Sequence, residues 1–160
     1  MAKSKKKTDN SSVIASNKKA RHDFQISDTY EAGIELRGTE VKSIREGKIN
    51  LRDAFCRIDK DEAWLYNCDI RPYDSASHEQ HEPRRNRKLL LHRREIERMK
   101  ALTEQKGATL VALKAYWKNR RVKIEIGVGK GKTHIDRRDD LKKQVQKREA
   151  DREMAKFNRR

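Results

Sequence analysis

Apolar and polar residues alternate over several short stretches of this chain, which is the pattern of β-strands with one buried face. The clearest example is Val122–Val128, where every second residue is a branched aliphatic one. The apolar stretch TLVALKAYW precedes it, and the two are separated by Lys118-Asn119-Arg120. Asparagine tolerates the positive φ that a tight turn needs. These residues predict a β-hairpin.

The same alternation predicts strands at residues 24–36, 54–58 and 63–66, with an acidic turn at 59–62 between the last two. Trp64 and Tyr66 have the same parity, so they share one face of a strand. We expect that face to be turned toward the core.

Helical spacing is found in two places. TEVKSIREG, residues 39–47, has Thr39 as a cap and Gly47 as a stop. Leu89–Lys106 has apolar residues three apart and ends before Gly107, which predicts the main helix. Residues 67–88 contain both prolines and are expected to be the least regular internal stretch.

Five or six short strands with a few helices predict a mostly β fold with some α structure. We expect a small closed antiparallel barrel with about three flanking helices, because closure removes exposed strand edges. An open α+β sheet is the rival fold. Residues 1–11 are expected to be a disordered basic arm, residues 12–130 the domain, and residues 131–160 a basic tail.

Charge is concentrated at the two ends of the chain. Of the formal net charge of +16, residues 1–21 carry +6 (seven Lys/Arg, one acid) and residues 131–160 carry +5 (eleven Lys/Arg, six acids). Such arms are typical of proteins that bind polyphosphate. Within the tail, Leu141 and Val145 are about one helical turn apart, as are Met154 and Phe157. We expect a nascent helix that is disordered until RNA neutralises it.

Other classes of function receive little support. MAKSKKKTDN has no apolar run that would indicate a signal peptide, and no stretch has the ~18 apolar residues of a membrane span. Neither arm has the continuous apolar face that membrane-surface binding needs. Cys56 and Cys68 form no CxxC pair, so we expect unpaired thiols in a reducing cytoplasm.

Two motifs resemble sites of chemistry but lack the required spacing. GVGKGKT has Ile126 where a phosphate-binding loop needs glycine, and we interpret it as a flexible hinge carrying lysines. His78 and His81 are three residues apart in a loop-like stretch, whereas zinc-binding helices place histidines four apart. We expect no metal, no cofactor and no catalytic residues.

Long segments of the chain resemble the SmpB family, the tmRNA-binding proteins of bacterial trans-translation. They are IASNKKARHDF, YEAGIELRGTEVKSIREGKINL, RKLLLHRREI, YWKNRRVKIEIGVGKGKTHIDRR and the basic tail. The resemblance implies an OB-like barrel that binds the tRNA-like domain of tmRNA and delivers it to stalled ribosomes. It also implies a tail that enters the decoding centre and the empty mRNA channel.

The resemblance also implies site residues. Those facing RNA would be Asn17, Lys18, Arg21, His22, Glu31, Lys88 and Leu90, with Lys118 and Asn119 at the hairpin tip as weaker candidates. Glu31 would accept hydrogen bonds from base or ribose donors. The ribosome-binding tail residues would be Lys130, Lys132, His134, Ile135, Asp136, Arg137 and Arg138. Many family members have histidine directly before the Asp-Lys/Arg-Arg block, where this chain has Ile135. Either His134 with a shifted backbone or Ile135 by apolar contact would take that role.

Three hypotheses follow. The first is a monomeric adaptor without chemistry that binds tmRNA and the ribosome. The second is a general OB-type binder of single-stranded RNA. The third is an RNA-acting enzyme that uses His22 or the His78/His81 pair.

Overall fold

A computed structural model describes residues 12–76 and 78–158. The expected basic arm at residues 1–11 lies outside them. The described chain forms a mixed α/β fold with a large antiparallel sheet and four helices. The strands are β1 (Ser12–Ser16), β2 (Phe24–Ile34), β3 (Ile49–Asn50), β4 (Phe55–Asp59), β5 (Glu62–Tyr66), β6 (Asp69–Ile70), β7 (Arg87–Leu90), β8 (Thr109–Lys118) and β9 (Arg121–Gly131). The helices are α1 (Lys18–Asp23), α2 (Gly38–Arg45), α3 (Arg93–Lys106) and α4 (His134–Phe157).

The large sheet has the strand order β1-β8-β4-β5-β7-β2-β9, and β8 also pairs with β9. Six of its strands, β2, β4, β5, β7, β8 and β9, therefore have hydrogen-bonded neighbours on both sides. The predicted hairpin is confirmed as β8–β9, with Lys118 paired to Arg121. Asn119 and Arg120 both have positive φ, as a two-residue hairpin turn requires. The short β3–β6 pair forms a second sheet.

The main core lies on one face of the large sheet. Ala63 and Leu65 of β5 point into it and are fully buried. Our expectation that Trp64 and Tyr66 face the core is therefore wrong. Both faces of this strand carry apolar residues, so alternation alone does not show which face packs against the core. The smaller side chains are the buried ones. We call the face away from the main core, to which Trp64 and Tyr66 belong, the outer face.

Helix α1 packs on part of the outer face and forms a second, smaller core with Val111 and Leu113 of β8. Two glycines of β9 make room for it. A Cβ at Gly127 would lie 2.7 Å from Leu113 Cδ1, and one at Gly129 would lie 2.9 Å from Ile26 Cδ1. Our interpretation of these glycines as a flexible hinge is wrong, because both pair within β9 to strands β2 and β8.

The main helix begins later than predicted. Leu89 and Leu90 lie in β7, paired to β5 and β2, and α3 begins at Arg93. Leu89 is buried in the main core. The leucines that suggested a helical face therefore begin in a strand that lies between β5 and β2. The Glu95 carboxylate accepts the His92 N–H at 3.0 Å and fixes the true start of α3. The predicted end at Gly107 is confirmed, since this residue has a φ of 60°.

A buried ion-pair network holds the irregular segment between β6 and β7. Glu40 of α2 and Arg87 of β7 are fully buried, and their charged groups are 2.8 Å apart. Glu40 also accepts hydrogen bonds from Arg85 and from the Arg37 N–H, both at 2.7 Å. Arg87 donates to the Cys68 carbonyl at 2.7 Å. Every charge in the network therefore has partners, which a buried charge needs.

The C-terminal tail forms a single 24-residue helix, α4, in which no residue is buried. We had expected a tail that is disordered until bound, with only a nascent helix. The structural reason for the regular helix is local. Thr133 Oγ1 accepts the Asp136 N–H at 3.3 Å, and the Asp136 carboxylate accepts the Thr133 N–H at 3.1 Å. This reciprocal capping box satisfies two amide groups at the helix start.

Candidate RNA interface

Four of the residues predicted to contact RNA share the outer face. Strand pairing aligns Leu90 of β7 with Gly33 of β2, and Glu31 lies two residues before Gly33 on the same face. Lys88 is two residues before Leu90 and has the same orientation. Lys118 reaches the same face at the end of β8, where its Nζ lies 3.1 Å from a Glu31 carboxylate oxygen.

Glu31 is a fixed carboxylate in the middle of this face. Burial raises the pKa of its carboxyl, but hydrogen bonds from Tyr116 and Lys118 outweigh that effect and the net pKa lies below its ordinary value. The Tyr116 hydroxyl donates to Oε2. Because a carboxylate has about four acceptor positions, lone pairs remain for donors of a base or a ribose. Glu31 is thus held as a charged acceptor on this face, and its contact with RNA stays a prediction.

An open cavity of about 610 Å³ lies beside Glu31. Lys88, Leu90, Lys123 and His92 line it with Glu31. The Leu90 side chain is 55% exposed, which is unusual for a leucine in a paired strand. The lining also includes the carboxylates of Asp61, Glu62 and Glu95. An exposed apolar side chain, two lysines and these acceptors offer both packing and hydrogen bonding to a nucleotide.

The other residues predicted to face RNA lie in or next to helix α1, and the structure gives them different roles. Asn17 is only 2% exposed, and its amide donates to the carbonyls of Leu51 and Ala112 at 2.7 and 2.9 Å. Its Oδ1 accepts the Ala20 N–H at 3.0 Å. Asn17 therefore caps and anchors α1 and has no donor left for RNA.

Lys18, Arg21 and His22 are the members of that group that reach the surface. Arg21 lies 3.3 Å from Glu125 of β9, which places it at the edge of the outer face. His22 contacts the Asp23 carboxylate at 2.9 Å, and this hydrogen bond holds the pKa of Asp23 below its ordinary value. The α1 group and the Glu31 cavity thus belong to one continuous surface.

The hairpin tip carries exposed polar and basic side chains at Asn119, Arg120 and Arg121. Sequence reasoning identified Lys118 and Asn119 there. It missed Tyr116 as a positioning group for Glu31, because strand parity alone does not show what a buried hydroxyl bonds to.

The predicted tail residues divide at the end of β9. Lys130 is exposed at the end of that strand, whereas Lys132 is tied down: its Nζ donates to Asp140 and, at 3.3 Å, to the Arg21 carbonyl. Asp136 belongs to the capping box of α4. His134, Ile135 and Arg138 are exposed on its first turns.

Arg137 is half-buried, and the positive charge of its guanidinium lowers the pKa of Asp23. The cation side chains of Lys18, Arg21, Lys132 and Arg137 surround a cavity of about 210 Å³ between α1 and α4. The start of the tail and the α1 group are therefore neighbours.

His81 and the two cysteines have structural positions. His81 is 3% exposed and bonds to Thr39 Oγ1 at 3.0 Å and to the Ile70 carbonyl at 2.9 Å. Cys56 and Cys68 are unpaired and buried, and burial raises the pKa of each thiol to about 12. Residues 12–76 and 78–158 contain no cluster of three potential metal ligands, and none of their helices has the length and hydropathy of a membrane span.

Comparison with known proteins identifies the family. The family model described as SmpB protein matches residues 14–156. The chain belongs to the SmpB family.

Relatives within the SmpB match are similar over nearly their whole length. An SsrA-binding protein of Corynebacterium efficiens is 52% identical over 96% of this chain and 94% of its own. One from Carboxydothermus hydrogenoformans is 53% identical over 86% of this chain and 92% of its own. A solved chain described as "tmRNA-SmpB: a journey to the center of the bacterial ribosome" has a TM-score of 0.63 and 44% identity, covering 79% of this chain and 93% of its own.

Proposed function

We propose that this SmpB family protein is an adaptor that binds the tRNA-like domain of tmRNA and delivers it to stalled ribosomes for trans-translation. The observation that carries the proposal is the continuous outer face, on which a fixed carboxylate, exposed Leu90 and several cations converge. Its relatives are named SsrA-binding proteins, and the similar solved chain is described with tmRNA and the ribosome. The proposed adaptor role requires no chemical step.

The fold proposed for this adaptor is a closed OB-like barrel. The pairing of β8 with both β4 and β9 supports closure, since the order β8-β4-β5-β7-β2-β9 then returns to its first strand. A closed barrel holds its outer face rigid, because no strand edge is free to separate. Rigid placement lowers the ordering cost of RNA binding.

The proposed division of roles follows the geometry. Lys18, Arg21 and His22 bind backbone phosphates, and Glu31 with Leu90 and Lys88 contacts a base or ribose in the cavity. Lys118 and Asn119 contact RNA at the hairpin tip. Asn17 acts indirectly, by holding α1 in place.

The tail has a different proposed partner. Helix α4 enters the decoding centre and the empty mRNA channel, where Lys130, Lys132, Arg137 and Arg138 bind ribosomal RNA. Ile135 is 70% exposed at the start of α4, so its side chain can make an apolar contact there. His134 is one residue earlier on the same turn.

Competition binding tests the proposal. The full chain is mixed with labelled tRNA-like domain and challenged with an excess of unstructured RNA, at one fixed salt concentration because phosphate contacts depend on salt. We expect the labelled RNA to stay bound. Displacement by equal amounts of unstructured RNA would show a general single-strand binder instead. RNA cleavage that is lost in a His22→Ala variant would show an enzyme.

A further inference from the structure

Three aromatic side chains of the outer face have no part in the interface described above. Phe55 of β4 and Trp64 and Tyr66 of β5 are half-buried, and none of them packs in either hydrophobic core. Keeping large rings at a protein surface forgoes the burial that normally stabilises a fold. Neighbouring rings without a core therefore indicate a surface that another molecule covers.

The rings lie in an ordered array set by the strand register. Phe55 is paired with Tyr66, and their rings are stacked with centroids 5.3 Å apart and planes 10° apart. In the next row, Trp64 is paired with Arg57 on one side and with Lys88 on the other. Side chains paired directly across strands lie within contact distance of each other. The stacked rings of Phe55 and Tyr66 thus lie beside a row in which Arg57 and Lys88 flank the Trp64 indole.

We infer that this array is a stacking platform for unpaired bases of RNA, with Trp64 and the Phe55–Tyr66 pair beneath the bases and Arg57 and Lys88 at the phosphates. Aromatic rings on a sheet face stack bases of any sequence, and neighbouring arginine and lysine neutralise the backbone. The three rings and Arg57 lie outside the residues of the proposed function, and Lys88 is shared with it. The platform relies on that function only for which RNA is bound.

Charge favours RNA over a protein partner at this surface. Arg57 is exposed, and among the described residues it has no acidic partner within ion-pair distance. The acidic side chains of β4 and β5 lie at their shared turn, where Glu62 pairs with Lys88. The formal net charge of +16 adds a long-range attraction for polyanions.

Lys88 joins the platform to the Glu31 cavity. It lines the cavity and is paired in register with Trp64. An RNA strand with a nucleotide at Leu90 can therefore continue across β7 and β5 onto the rings. The platform extends the predicted interface by two strands.

Tryptophan fluorescence gives a direct test, because the chain has two tryptophans and Trp117 is the other one. In a Trp117→Phe variant of the full chain, tryptophan emission comes from Trp64 alone. This variant is titrated with a short unstructured RNA, with a duplex of the same length and with the tRNA-like domain, and Trp64 emission is recorded. We expect the unstructured RNA to quench Trp64 strongly and the duplex to quench it weakly, since duplex bases expose no faces for stacking. Quenching by the tRNA-like domain as well would identify tmRNA as a source of the unpaired bases.

Variants add an independent measurement. Trp64→Leu and Arg57→Gln should each weaken binding of the unstructured RNA, by about tenfold for the first. Arg98→Gln on the exposed side of α3 is the matched charge control and should leave it unchanged. Circular dichroism checks that each variant is folded.

Equal quenching by single strand and duplex, or no quenching while anisotropy shows the RNA bound, would overturn the platform. The two proposals fail separately. If unstructured RNA quenches Trp64 but also displaces the tRNA-like domain in the competition assay, the platform stands and the adaptor function fails.

Discussion

The sheet region and helix α4 are both highly charged, but the sheet region buries an ion pair and α4 leaves its charges exposed. In the sheet region, Glu40 and Arg87 are fully buried and each has hydrogen-bond partners for its charged group. In α4, 24 residues contain no buried side chain at all. The sheet region therefore carries its own stability, while α4 depends on local capping and on whatever it contacts.

The sheet region and α4 differ in the same way in the burial of their apolar residues. The aliphatic residues of β9 are buried, whereas Met154 and Phe157 of α4 are 70% and 82% exposed. An exposed helix without a partner is marginally stable in water. We therefore expect the domain to be ordered without RNA and the tail to be fully ordered only with its partner present.

The largest expected effect is on the buried network. Replacing Arg87 by methionine leaves the Glu40 carboxylate buried with one cation fewer, which typically costs about 3–5 kcal/mol of unfolding free energy. Chemical denaturation of the full chain measures this loss. Arg93→Met is the control, because Arg93 forms exposed pairs with Glu97 and Asp61, each worth about 1 kcal/mol or less. Equal losses in the two variants would contradict the distinction between buried and exposed charge.

A smaller effect is expected at Glu31, and its sign is informative. If Glu31 accepts hydrogen bonds from a base or ribose, Glu31→Gln should weaken binding of the tRNA-like domain by about tenfold. If only charge mattered, removing a carboxylate would strengthen binding of a polyanion. Fluorescence anisotropy of labelled RNA distinguishes the two, with Glu97→Gln on α3 as the control for a neutralised exposed carboxylate. Tighter binding by the Glu31 variant would contradict the proposed contact.

The helix cap of α4 should affect the tail alone. Thr133→Ala removes the oxygen that accepts the Asp136 N–H, a change that costs about 1 kcal/mol of helix stability. Far-ultraviolet circular dichroism should show less helix, while affinity for the tRNA-like domain stays unchanged. Loss of that affinity would mean that the tail and the domain bind RNA together.

The smallest effect is a pH dependence of the same cap. Hydrogen bonds from Thr133 hold the pKa of the Asp136 carboxyl below its ordinary value of 3.8. Its contribution to α4 is therefore complete above pH 3.8 and is lost as the pH falls through the lower folded value. In an acid titration of helicity, an Asp136→Asn variant should lack this component of the loss. Superimposable curves for the two proteins would contradict it.

Much of the sheet could be predicted from alternation, because one buried face leaves a period of two. The β8–β9 hairpin and its Asn119 turn are confirmed in detail. Leu89–Leu91 was assigned to a helix because three leucines in a row fit either structure, and only the pairing of β7 with β5 and β2 decides between them. Trp64 and Tyr66 were placed on the wrong face for the related reason that both faces of β5 are apolar.

The site was predictable only in part. Resemblance to a family indicated Glu31, Leu90 and Lys88 individually, but strand register brings them together on the outer face. Asn17 was expected at the RNA and instead anchors α1, since sequence does not show that three backbone groups converge on its side chain. The Glu40–Arg87 pair had no signal, because residues 47 positions apart are brought together only by the fold.

The central claim is that the domain binds tmRNA and the tail acts on the ribosome, and truncation after Gly131 tests it most directly. The truncated and full-length proteins are compared for affinity to the tRNA-like domain and for peptide tagging on stalled ribosomes. The account predicts nearly unchanged affinity and no tagging. A parallel loss of affinity and tagging would contradict it.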